Sequence, residues 1–349
     1  MKALNHALEL NPDDWICSYF IAEVKHQMGL FEDALHILKN ICQIRPDEAG
    51  PLWLLGQTHL DLGLFQLGDS FQVRAEESFL SAIEVALEII RRMPGIRTMA
   101  WKMIGDATSY LSSFSTFIAE DAVCLKLRSI QYLPSPDWAE KVVEIVGLPS
   151  FADGGPPSPL TVGIVAIHSY LSQISLSSPN HPSNQASWYD LAVALQSWMM
   201  NAPQTTSSEN ATFIQEKVVE YFKKALQEDP GNNMYWVGLG NAYFSTHVRA
   251  AQHAYIKALE IDGKNAATWV NLGLLYFHHG DIELANSALH RAQVLDPDNT
   301  VAWVGQFLVA SVNNDKADAM LLLEHAVTLS KPVVCPIPPL TLVQNLISV

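Results

Sequence analysis

One stretch of this chain repeats itself, and no other feature limits its fold as tightly. In AATWVNLGLLYFHHGDIELANSALHRAQVLDPDN, which begins at Ala266, the residues Trp269, Leu272, Gly273, Tyr276, Gly280, Ala285, Leu289, Ala292 and Pro297 stand at unit positions 4, 7, 8, 11, 15, 20, 24, 27 and 32. The segment before it keeps step through Trp236, Leu239, Gly240, Tyr243, Ala251, Tyr255 and Ala258, and the segment after it through Trp303, Ala319, Leu323 and Ala326. Trp236 and Trp269 are 33 residues apart, Trp269 and Trp303 34. The period returns near the N-terminus, where Pro12 and Pro46 lie 34 apart and enclose Gly29, Ala34, Leu38 and Ile41 in matching phase; a further unit opens with Leu55-Gly56. A chain of this kind folds as an array in which each unit buries its apolar face only against its neighbours.

Positions 4, 7, 8 and 11 fall on one face of a first helix, and positions 20, 24 and 27 on one face of a second. The small residues Gly273 and Ala285 allow close approach, Gly280-Asp281 makes the turn between the helices, and Asp296-Pro297-Asp298-Asn299 ends the second helix and caps the next. This pattern resembles the tetratricopeptide repeat. The expected fold is all-α, a right-handed superhelical solenoid of stacked helix hairpins with a concave inner surface and long inserts.

Three units break the period. After Leu55-Gly56 the second helix arrives late, with Ala75, Phe79 and Ala82 displaced by seven residues, which predicts lengthened helices near 60–93. The unit opened by AWKMIGDA at Ala100 is interrupted over about 112–159, a stretch containing GLPSFADGGPPSP that is expected to be a disordered surface insert. PLTVGIVAIHSYLSQIS then supplies its second helix. Trp188, Leu191, Ala192 and Leu195 open another unit, whose second helix EKVVEYFKKALQEDP is expected to follow the polar insert NAPQTTSSENATF. The organisation read from this phase is an array over 1–96, an interrupted unit over 97–184, a regular array over 185–333 and an irregular tail over 334–349. Ala3, Leu4, Ala7, Leu8 and Pro12 read as the second helix of a unit whose first is missing, so a fragment or an imperfect gene model of a longer protein is expected.

Lys plus Arg is 21 and Asp plus Glu 36, a net charge of −15, with no basic run longer than Arg91-Arg92 or Lys223-Lys224. Nucleic-acid binding wants a basic face, so direct contact with RNA or DNA is not expected. The 49% of hydrophobic residues can fill a large core, which excludes disorder throughout. Cys17, Cys42, Cys124 and Cys335 include no CxxC pair, neither a zinc spacing nor a disulfide framework, and fit a reducing compartment. No stretch of about 18 uninterrupted apolar residues predicts a membrane span.

Chemistry-bearing motifs are sparse. GxSxG, GxxxxGK[ST], HExxH and GxGxxG do not occur, and Asn210-Ala211-Thr212 is read as a chance sequon. His247, His253, His278-His279 and His290 crowd one half without metal-ligand spacing, so they are expected at the surface or in the groove. Asp13, Asp14, Asp296 and Asp298 are read as helix caps, and Trp101, Trp188, Trp236, Trp269 and Trp303, all at position 4, as core. No catalytic residue, metal site or cofactor is expected.

Partner binding is expected in the groove, from Val237, Asn241 and Phe244 of one unit, Val270, Leu274, Phe277 and His278 of the next, and Val304 and Leu308 of the third. Positions 5 and 9 of these units are Val237 and Asn241, Val270 and Leu274, Val304 and Leu308, an apolar set without the Lys and Asn that co-chaperones of this fold use to grip a carboxylate. Such a groove suits a helix or an extended segment.

The order of irregularities over about residues 50–330, with the phrases AWK-IGDA, W-NLG-LY, A-QVLDP and AW-GQ, is similar to the C-terminal arm of the large tetratricopeptide subunit of the superkiller (Ski) complex. That resemblance implies a cytoplasmic scaffold, with a nuclear location also open. Its protein partners would be a DExH helicase and WD-repeat subunits, and indirectly the exosome that degrades mRNA 3′ to 5′; no membrane is implied. A generic repeat adaptor of another assembly stays open. An enzyme carrying repeats in front of a catalytic domain lacks any stretch of alternating strands and helices to host it.

Overall fold

A computed structural model describes residues 11, 14–69, 71–151, 157–177, 184–201 and 207–329, which form sixteen α-helices and no strand. The chain divides into two compact units, Met1–His181 and Pro182–Val349. In the first, α1 (Trp15–Gln27) pairs with α2 (Phe31–Ile44), α3 (Ala49–Gly68) with α4 (Gln72–Arg92), and α5 (Arg97–Leu111) with α8 (Pro159–Leu176); α6 (Glu120–Arg128) and α7 (Glu140–Val146) lie between the last two. In the second, α9 (Asn184–Asn201) pairs with α10 (Ser208–Glu228), α11 (Asn233–Tyr243) with α12 (Val248–Ile261), α13 (Ala266–His278) with α14 (Ile282–Leu295), and α15 (Thr300–Val312) with α16 (Lys316–Leu329). Each unit is thus an all-α stack of helical hairpins. The readings at the two termini, residues 1–10 and 330–349, fall outside the described residues.

The regular hairpins close as the spacing predicts. A Cβ at Gly273 would lie 2.7 Å from Leu289 Cγ, so only glycine lets α13 and α14 meet there. Gly280 turns the chain at φ +83°, a left-handed conformation that a Cβ disfavours.

Between hairpins one short device is used three times. Asp229, Asp262 and Asp296 each accept the backbone N–H two residues on, at 3.2, 3.1 and 3.3 Å. Three residues after each, Asn232, Asn265 and Asn299 cap the next helix by accepting from Met234, Thr268 and Ala302 N–H. Four residues further, Trp236, Trp269 and Trp303 swing their indole N–H back onto the carbonyls of Pro230, Gly263 and Pro297 at 2.9, 3.0 and 2.7 Å. Two expectations are corrected by this arrangement. The helix cap at the third device is Asn299, not Asp296 or Asp298, because the aspartate is spent on the turn itself; Asp14 does cap α1, accepting from Ile16 and Cys17 N–H. The position-4 tryptophans are not uniformly core: Trp101 is buried, whereas Trp188, Trp236, Trp269 and Trp303 are half-buried, and the last three reach a backbone oxygen that a deeper ring would miss.

The stretch 112–159, expected as a disordered insert, is ordered over its described residues. Phe114, Phe117, Val123, Leu127, Ile130, Val142 and Val146 are all buried, an apolar content that a loop reading overlooks. Glu76, fully buried on α4, accepts from Ile118 N–H at 3.0 Å and Ala119 N–H at 3.2 Å and so caps α6 from another helix. Gln72 donates to Thr116 O at 2.6 Å, and Lys126 pairs with Glu84 at 2.8 Å. On the other side Leu133 N–H donates to Ser172 Oγ, and His168 Nε2 lies 2.9 Å from Gly147 O. The polar stretch before α10 is also partly helical, since Ser207 accepts from Asn210 N–H and starts the helix at Ser208. α8 is long and apolar enough to cross a bilayer, but 67% of it is buried within its unit, as befits a core helix.

Candidate protein-binding face

First helices of successive hairpins line the inner layer of each stack, where α13 meets α15 and α9 meets α11 in the second unit, and α1 meets α3 and α3 meets α5 in the first. The second unit's inner layer holds the nine residues expected to form the groove. Val237, Phe244, Val270 and Leu274 are only 5, 6, 3 and 2% exposed and belong to one continuous core with Leu272, Leu275 and Leu289. Phe277 and Val304 pack against the same core and Leu308 is half-buried, while His278 is exposed with its ring 5.6 Å from that of Phe244. Four of the nine are therefore corrected from open surface to interior. Helical spacing identifies the face they share but not how far neighbouring helices close over it, and here they close.

Asn241 is half-buried and structurally committed. Its Oδ1 accepts from Tyr255 O–H at 2.7 Å and from Asn271 Nδ2 at 3.3 Å, which ties α11, α12 and α13 together. Burial pushes the Tyr255 phenol far above its ordinary range, so it stays a neutral donor. Asn241, Phe277, His278, Val304 and Leu308 remain as the accessible part of the expected set.

The first unit's inner layer carries a row of polar contacts among residues that the repeat pattern does not mark. His26 Nε2 lies 3.2 Å from Asp61 Oδ2, and His26 Nδ1 lies 3.1 Å from Thr58 Oγ1. A hydroxyl, an imidazole and a carboxylate in line invite comparison with a catalytic triad. The hydrogen bonding rejects it: Thr58 is fully buried and its proton goes to Leu54 O at 2.6 Å, so the hydroxyl receives the imidazole N–H instead of surrendering a proton to it. The group clamps α1 to α3. Burial raises the Asp61 carboxyl pKa above the usual range, with Asp106 adding to the rise and His26 and Gln57 opposing it. Further along, Asp106 accepts from Lys102 at 3.0 Å and from Tyr170 O–H at 2.9 Å. His26 and Asp61 sit one repeat apart on the inner face, so the phase of the repeat was the signal that pairs them. Among the described residues no three His, Cys, Asp or Glu converge to hold a metal ion.

The family profile described as Tetratricopeptide repeat matches residues 245–300, across the hairpins whose capping device recurs above. The repeat in this stretch is therefore a tetratricopeptide repeat. Over 334 residues, 95% of its length, this repeat protein is 28% identical to Tetratricopeptide repeat protein 37 of Xenopus laevis and to Superkiller complex protein 3 of Mus musculus. It is 25% identical over 261 residues to Superkiller protein 3 of Schizosaccharomyces pombe. It spans only about a fifth of these relatives, 20, 20 and 18% of their lengths. Among solved structures it is similar to MamA, with 19% identity and a TM-score of 0.37 over 48% of this chain and 88% of that one. Yeast Tom70 gives 16% identity and 0.34 over 94% and 72%. Scores of this size carry no functional argument.

Proposed function

We propose that this repeat protein is a non-catalytic scaffold subunit of a superkiller-type complex. In that role it holds a DExH helicase and WD-repeat subunits in the cytoplasm and so serves exosome-mediated 3′ to 5′ mRNA decay. The observation that carries the reading is the span of the similarity. Proteins named for the superkiller complex match 95% of the chain, including the interrupted unit around 112–159, whereas the generic repeat profile matches only 245–300. A generic repeat adaptor would be expected to resemble them in the regular hairpins alone. The acidic charge of −15 is consistent with a subunit that organises other proteins and leaves RNA to them.

Affinity purification of the tagged chain from its own cells, read by mass spectrometry, tests this. Recovery of a DExH helicase and a WD-repeat protein in near-stoichiometric amounts is the expected result. Recovery of a different stable complex would discard the assignment while keeping the fold, and recovery of chaperones alone would mean that this span of the protein does not assemble.

A further inference from the structure

Two hairpins are longer than the rest, and they differ in how their tips are covered. α4 and α10 are each 21 residues, against 14 for α12 and α14. Their ends correspond, because Met93 N–H returns to Ile89 O and Asp229 N–H to Ala225 O, the closure that α12 and α14 also use. The additional seven residues, two turns, therefore lie at the hairpin tips and overhang the next hairpin.

Counting back from those closures, Gln72 corresponds to Ser208, Glu76 to Thr212 and Phe79 to Gln215. In the first unit the chain covers its own overhang. After α5 ends, residues 112–119 run beneath α4, held by Gln72 and Glu76, with Phe114 6.4 Å from both Phe79 and Phe117. In the second unit α11 ends at Tyr243 and α12 begins at Val248, and among the described residues none fills the corresponding space. What remains is a cleft of about 710 Å³. Its floor is Met199, Ala211, Val219 and the Tyr243 ring, and its rim carries Glu216 and Lys223. Gln215, standing where the first unit has Phe79, lines the cleft with its Nε2 donated to Ala242 O and its Oε1 left to accept.

We propose that this cleft takes up an extended segment of another protein presenting two aromatic side chains three residues apart, as Phe114 and Phe117 are presented beneath α4. The proposal holds whichever assembly the protein serves, since it rests on the internal correspondence of the two overhangs. Thr212 and Gln215 offer hydrogen-bonding groups to the segment's backbone, and Glu216 and Lys223 offer opposite charges to its flanks.

Selection of phage-displayed peptides of about twelve random residues on the immobilised full-length chain tests this, with the enriched sequences then measured as labelled peptides by fluorescence anisotropy. Enriched peptides are expected to carry an aromatic pair spaced i, i+3 and to lose at least about tenfold in affinity to Ala211→Trp, which fills the floor, but not to Arg291→Trp on α14. Thr212→Trp, at the exposed rim, repeats the test in case Ala211→Trp does not fold. No enrichment, enrichment without an aromatic pair, or equal binding to all variants would overturn the proposal. So would a dimer in light scattering that Thr212→Trp dissolves, since the occupant would then be a second copy.

Discussion

His59 is the residue whose chemistry is most changed by its surroundings. It sits 8% exposed on α3, its Nδ1 without a hydrogen-bond partner, and burial, aided by the Lys39 charge, depresses its pKa to about 4. The folded chain therefore holds it neutral where an unfolded chain, titrating near the ordinary value of about 6.5, takes up a proton. The resulting stability is fully present above pH of about 6.5 and is lost as pH falls towards about 4, by up to about 3 kcal/mol. His168, buried and shifted in the same direction, adds to the loss. Urea midpoints for the wild type and His59→Leu at about pH 7 and about pH 4.5 check this: the variant should lose roughly 2 kcal/mol less between them. Equal losses would mean that His59 is protonated in the fold.

At the scale of the element, one carboxyl group anchors the start of the insert's first helix. Glu76 serves the N-terminus of α6 as a side-chain cap would, but from a neighbouring helix, and nothing in the local sequence of 112–119 announces it. Glu76→Ala leaves the N–H groups of Ile118 and Ala119 without their acceptor, at about 1–3 kcal/mol. Hydrogen exchange at these two amides is expected to accelerate by roughly tenfold to a hundredfold, with α13 and α14 unaffected. Unchanged exchange would show that Phe114 and Phe117 hold the segment unaided. The repeated Asp, Asn and Trp device is the opposite case. Its members lie within eight residues of one another, so it forms from local sequence and could be read from it.

For the whole molecule, 21 basic against 36 acidic residues govern encounters before any specific contact forms. The chain is expected to bind a labelled single-stranded RNA more weakly than about 100 µM at about 0.1 M salt, measured by anisotropy. Micromolar binding that weakens with salt would reveal a basic stripe and reassign part of the RNA handling to this subunit.

The fold class, the hairpin pairing of the regular units and the rejoining of AWKMIGDA to PLTVGIVAIHSYLSQIS were legible because a repeat states its own rule several times. Gly273, Gly280 and Trp269 each occupy a position whose geometric demand recurs every 33 or 34 residues, so sequence alone determines it. Tertiary structure decided everything that depends on which helices face each other and how closely. It closed the inner layer over Val237, Phe244, Val270 and Leu274, made Asn241 a bridge, paired His26 with Asp61, and aimed Glu76 at a helix some forty residues away. Among the described residues it also left the overhang of α10 open where that of α4 is filled. A periodic pattern specifies which face of a helix is apolar, whereas the depth to which that face is covered is a sum over neighbours that no single unit encodes.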